Sequence, residues 1–265
     1  MPGIFHFGTP RRSLLGLRHP PLARTQGALL ACAPLLQEGI RCQRALWSLA
    51  EALAAAGVDV LRFDWFGSGD SGGASSDIVV PGLVEDLASA ESFLRTSSTA
   101  SPDIRLLALR SAALPLLVHA GRCGQPVDVV LWAPVLDGAA LTAAWREQHR
   151  RQLHVAGRFL SAHTMSDDDE LLGFVLDRSL LDGLEALHGR DLPLPAGSRL
   201  LLAHWAASPV DQSFVDAQRA AGVVVEYLEL DGADEPDWDD PDGFEAQIFP
   251  RRAVNQLAGQ LAGIA

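Results

Sequence analysis

Three polar residues close apolar runs that read as buried strands, and their types fit a nucleophilic site. Ser111 follows Ile104–Leu109, His204 ends Arg199–His204, and Asp137 lies beyond the run 127–133. Asp64, after Val58–Phe63, is a second carboxylate for the same purpose. A serine attacks a carbonyl when a neutral imidazole takes its proton and a carboxylate holds that imidazole. Arg110 precedes Ser111 and offers different chemistry. A guanidinium keeps its proton near neutral pH, so it serves as an anion partner and never as a nucleophile. Glu38 follows the run 27–33, and Ser208 stands just before Pro209.

Each of these has a plainer reading. His204 is also expected as a core histidine with its nitrogens hydrogen-bonded. Arg110 is equally expected in an internal ion pair with Asp64, Glu38 or Asp137. Glu38 has Arg41 and Arg44 as nearby partners. The segment 231–243 carries seven carboxylates but lacks the sixth-position glycine and twelfth-position glutamate of a calcium loop, so a solvated loop is expected. A basic stretch, Arg146, His149, Arg150, Arg151 and His154, reads as a solvated helix face.

Composition narrows the classes. The chain has 265 residues, 48% of them apolar, and a net charge of −12. That balance argues against nucleic acid as a partner. Every basic residue counted with the lysines is arginine, which excludes Schiff-base and phosphate-loop lysine chemistry. Cys32, Cys42 and Cys123 form no CxxC pair, so reduced core thiols are expected and neither metal nor cofactor. No run reaches the roughly 20 apolar residues of a membrane span. The first residues lack a charged segment followed by a long apolar one, so a cytoplasmic location is expected.

The elements alternate. Segments 4–8 and 14–19 read as an antiparallel pair around a Thr-Pro-Arg-Arg turn. Strands follow at 27–33, 58–63, 104–109, 127–133, 199–204 and 223–230. Helices are expected at 41–56, 80–95, from 111 to 121, at 211–221 and at 247–261. This alternation predicts one α/β domain, a mostly parallel sheet covered on both faces. Residues 138–195 break the rhythm, with helical stretches at 142–155 and 168–188 and no clear strand. They are expected as an insertion within the single domain 1–265.

This order resembles the α/β-hydrolase fold over nearly the whole chain, and the insertion falls where that family carries a helical cap. The segment 60–72 resembles the strand-and-loop D-x-x-G-x-G-x-S of serine hydrolases. Gly67 and Gly69 would permit its turn, and Asp70 and Ser71 would fasten it. Residues 33–40, 60–72 and 131–138 are similar to the serine-aminopeptidase-like and exosortase-associated branch, whose members often lie beside biosynthetic or export genes.

The resemblance implies where a triad would stand. The nucleophile belongs on a tight turn after 104–109, flanked at −2 and +2 by small residues. With Arg110 there, Ala108 and Ala112 fill the small positions. With Ser111 there, Leu109 and Ala113 would, and leucine fits poorly. The acid position before Pro209 holds Ser208. The histidine belongs after the last strand, yet no histidine follows His204. The resemblance therefore implies a pseudo-hydrolase lacking the standard triad. It would bind a small-molecule or peptide ligand, anionic in the case of an Arg110-floored pocket, or serve partner biosynthetic proteins. The alternatives are a non-standard hydrolase or acyl-transfer enzyme using Ser111 with His204 and Asp137 or Asp64, and a purely structural partner with a filled pocket.

Overall fold

The computed structural model describes residues 2–22, 24–98, 103–153, 170–206, 208–238 and 246–263. Eight strands form one sheet: β1 (Gly3–Thr9), β2 (Arg12–His19), β3 (Gly27–Cys32), β4 (Val58–Phe63), β5 (Ile104–Leu109), β6 (Asp128–Trp132), β9 (Arg199–His204) and β10 (Val224–Glu229). Their order across the sheet is β1-β2-β4-β3-β5-β6-β9-β10. β1 and β2 pair antiparallel, as does β2 with β4, and every pairing from β4 to β10 is parallel.

β3, β4, β5, β6 and β9 are largely buried because helices cover both faces, whereas β10, at the sheet edge, is largely exposed. Alternate side chains feed two cores. Leu29 and Ala31 of β3 face α1 (Leu36–Ala55) and α7 (Arg251–Ala262), packing among Leu46, Leu49, Leu53 and Leu257. Ala28, Leu30 and Cys32 face the other way. There they meet α2 (Val80–Ser97), α3 (Ala113–Gly121) and α6 (Pro209–Ala220) through Leu83, Leu87, Leu116 and Phe214. Fully burying a leucine-sized side chain contributes about 1.5–3 kcal/mol, so these two layers dominate folding.

The segment between β6 and β9 departs from expectation. It holds α4 (Gly138–Leu153) and α5 (Arg178–Glu185), but also a short hairpin, β7 (Glu170–Leu171) and β8 (Phe174–Val175). The expected helix at 168–188 gives way because Leu172 and Gly173, the hairpin turn, both take left-handed φ, 57° and 84°. Leu172 donates its N–H to His149 Nδ1, a buried side chain, so His149 anchors this hairpin instead of facing solvent. Arg150 and Arg151 are exposed on α4 and pair with Glu147. His154 and the end of the stretch 142–155 lie outside the described residues. Leu141, Trp145, Leu171 and Leu180 enter the same core as α2. Among the described residues no helix is long and apolar enough to cross a membrane.

Candidate functional site around the turn after β5

β5 hands over to α3 through one strained residue. Arg110 holds φ of 53°, a left-handed conformation that a side-chain-bearing residue seldom adopts. Ala108 and Ala112 flank it and are wholly buried, as the small positions of a crowded turn require. Ser111 is the middle residue of the 3-10 turn Arg110–Ala112 and has no exposed surface. Leu36 after β3 and Ala133 after β6 are also left-handed, with φ of 52° and 45°. Three neighbouring strand ends thus carry backbone strain at one end of the sheet.

Arg110 and Ser111 share one partner. Arg110 donates from Nη2 and Nε to Glu38 Oε1 at 3.0 and 3.3 Å. Ser111 Oγ donates to Glu38 Oε2 at 2.7 Å and accepts from the Leu35 N–H at 2.9 Å. Glu38 is therefore engaged on both oxygens, which explains how a carboxylate survives in a largely buried position. The guanidinium also lies 4.4 Å from the centroid of the Trp238 ring. Arg41 fixes Trp238 by donating to its carbonyl at 3.1 Å, and Trp238 meets Trp205 edge-on. Of the expected partners for Arg110, the structure selects Glu38. Arg41 and Arg44 stay elsewhere, Arg44 over the Phe249 ring.

The other candidates have different partners. His204 Nε2 lies 3.5 Å from Asp211 Oδ2, an ion-pair distance that is long for a hydrogen bond. Burial pushes the Asp211 carboxyl up, but the contacts with His204 and Ser208 outweigh it and hold the carboxyl below its ordinary value. Ser208 is the N-cap of α6: its Oγ accepts from Asp211 N–H, and Asp211 accepts from Ser208 N–H at 2.7 Å. Asp137 accepts from the Ala140 N–H at 2.9 Å at the start of α4 and lies 3.4 Å from His188. The Ala140 bond comes first in lowering its carboxyl, with His188 adding to it.

Asp64 fastens the glycine-rich loop after β4. It accepts from the Asp70 N–H at 3.1 Å, so Asp70 contributes its backbone there, while Ser71 Oγ donates to the Asp64 carbonyl at 2.6 Å. A Cβ at Gly69 would lie 2.2 Å from the Asp64 carboxylate, and both Gly67 and Gly69 have positive φ. Only glycine fits this turn. Burial pushes the Asp64 carboxyl above the usual range.

Asp231 caps a 3-10 turn and pairs with Arg252 at 2.6 Å, so the start of the acidic segment is tied to α7. Residues 239–243 of that segment lie outside the described ones. The described metal-capable set is elsewhere: Glu91, His119 and Cys123 bring donor atoms within 4.8 Å of one another. His119 Nε2 is already paired with Glu91 at 2.7 Å. Cys32 and Cys42 are buried core thiols as expected, whereas Cys123 is exposed.

No protein-family model matches the sequence. No curated protein matches it either. Solved structures do. A ferulic-acid complex of Est1E from Butyrivibrio proteoclasticus superposes with a TM-score of 0.62, at 12% identity over 98% of this chain and 96% of that one. An α/β serine hydrolase homologue from Coxiella burnetii gives 0.56, at 16% identity over 99% and 97%. An α/β serine hydrolase without a lid from Xanthomonas campestris gives 0.54, at 18% identity over 99% and 92%. Together with the strand order, these likenesses show that the chain has the α/β-hydrolase fold.

Proposed function

We propose that this chain is a pseudo-hydrolase, an α/β-hydrolase-fold protein that binds rather than cleaves. The observation that carries the reading is Arg110, left-handed at the strand-to-helix turn and tied to Glu38 and Trp238. A serine hydrolase of this fold places its nucleophile at such a turn. A guanidinium there can neither attack nor be activated by a base. Residues 138–195 serve as the cap, and the protein acts in the cytoplasm as a binding or accessory partner of biosynthetic enzymes.

The Ser111 reading is less well supported. Its hydroxyl donates to a carboxylate instead of an imidazole, and it has no surface for a substrate to reach. A filled-pocket structural module is also less well supported, since a cleft of about 430 Å³ opens between α1 and the loop after β4. Incubation with a fluorophosphonate probe, followed by intact-mass analysis, tests the proposal. No adduct is expected, and the Arg110→Ser variant should also stay unlabelled. A stoichiometric adduct that disappears in Ser111→Ala would overturn it.

A further inference from the structure

Arg62, on β4, is a buried cation without enough partners. Only 8% of the residue is exposed. Its Nη2 donates to Gln43 Oε1 on α1, and the Trp47 ring lies 5.8 Å from its central carbon. Nε and Nη1 find no acceptor among the described residues. No acidic oxygen among them lies within ion-pair distance of the guanidinium. Asp64 acts on it only from further away. An unpaired buried charge is among the most costly groups a fold can carry, and native proteins satisfy nearly all buried donors. Arg62 also lines the cleft of about 430 Å³, whose walls include Leu15, Leu17, Ile40, Leu46 and Phe174. That volume suits a small ligand.

We propose that this cleft is a binding site for an amphiphilic monocarboxylate, its anionic end on Arg62 and its apolar body along β2 and α1. A water molecule would supply an acceptor but no counter-charge. A carboxylate supplies both. A dianion fits less well, because there is one guanidinium and Asp64 lines the same cleft. The site lies on the antiparallel side of the sheet and uses neither Arg110 nor Ser111. Burial drives the Arg62 pKa down to about 10, which agrees with a missing anion. The site deepens the binding reading and rests on it only for the ligand's fate, held instead of cleaved.

The test titrates the full chain with octanoate, phenylacetate, their neutral amides and inorganic phosphate. The arginine Nε–H region of the ¹⁵N–¹H spectrum and calorimetry give the readout. One Nε–H signal should shift saturably with a carboxylate. The carboxylate should bind at least about tenfold more tightly than its amide, as a hydrogen-bonded charge implies. Arg62→Met should erase that preference while circular dichroism stays unchanged. Gln43→Leu, which frees a third donor, should alter affinity without erasing the preference.

Equal binding of acid and amide, a preference that survives in Arg62→Met, or no saturable Nε–H shift would overturn the site. Tighter binding of phosphate would overturn the monocarboxylate class. If Arg62→Met fails to fold, the wild-type spectra alone decide. Hydrolysis of p-nitrophenyl octanoate is followed in parallel. Turnover alongside Arg62-dependent binding would sink the pseudo-hydrolase reading and keep the site. No turnover with Arg62-independent binding would do the reverse.

Discussion

Two arginines sit at the same end of the strands, one at the turn after β5 and one near the end of β4, and their surroundings differ. Arg110 has a carboxylate at 3.0 Å and an indole face at 4.4 Å. Arg62 has one amide oxygen, a more distant indole and two donors without partners among the described residues. The same side chain is therefore finished in one place and incomplete in the other. A cation with its counter-ion built in contributes to the fold. A cation without one implies a component from outside.

The sharpest way to break this contrast is to remove the built-in partner. Glu38→Leu strands both Arg110 and the Ser111 hydroxyl, and breaking a buried pair in this way costs about 3 kcal/mol or more. Urea unfolding should show that loss, and the double variant Glu38→Leu/Arg110→Leu should recover much of it. If the two single losses simply add, the pair is not coupled. Arg62→Met should behave oppositely: replacing a poorly satisfied buried charge with an apolar side chain is expected to be neutral or to stabilise by up to about 2 kcal/mol. A large destabilisation in ligand-free protein would mean that Arg62 is satisfied after all. Trp238→Ala should cost about 1 kcal/mol for the lost face on Arg110, seen as a small drop in Tm.

The smallest effect concerns pH. Burial raises the Asp64 carboxyl, so the folded chain holds that proton where the unfolded chain has lost it. Folding then gains from this group at low pH and loses the gain as pH climbs through the ordinary and then the raised value. Asp64→Asn keeps an acceptor for Asp70 and lacks this dependence. Its stability relative to the parent should rise from about pH 4 to pH 6, above the ordinary carboxylate value. A flat difference would show that the carboxyl is not desolvated.

Much of the scaffold was legible because local signals agree with the global ones. β5 and β9 fall where their apolar runs predict, and the alanines around Arg110 mark the strained turn. The helix expected at 211–221 is α6, which begins two residues earlier, and the capping role of Ser208 was not read although Asp211 stands three residues on. The site was less legible because its contacts are long-range. Glu38 reaches Ser111 across 73 positions, and one of several carboxylates that follow strands had to be chosen. Trp238 carried one faint signal, a large apolar ring in an acidic run. Nothing local marks Arg62 as unpaired. The hairpin at 170–175 escaped because a leucine shares its turn.

Leu36, Arg110 and Ala133 each hold a conformation that costs about 1–2 kcal/mol. In engineering terms, and on the pseudo-hydrolase reading proposed above, the main chain at Arg110 already has the left-handed turn on which serine hydrolases of this fold carry a nucleophile. On that same reading, installing hydrolysis would be a problem of side chains: a serine at position 110, a histidine brought in where Trp238 now lies, and a Glu38 replaced by a neutral group. The strained turn, which a designer would otherwise have to build, is the part this chain supplies.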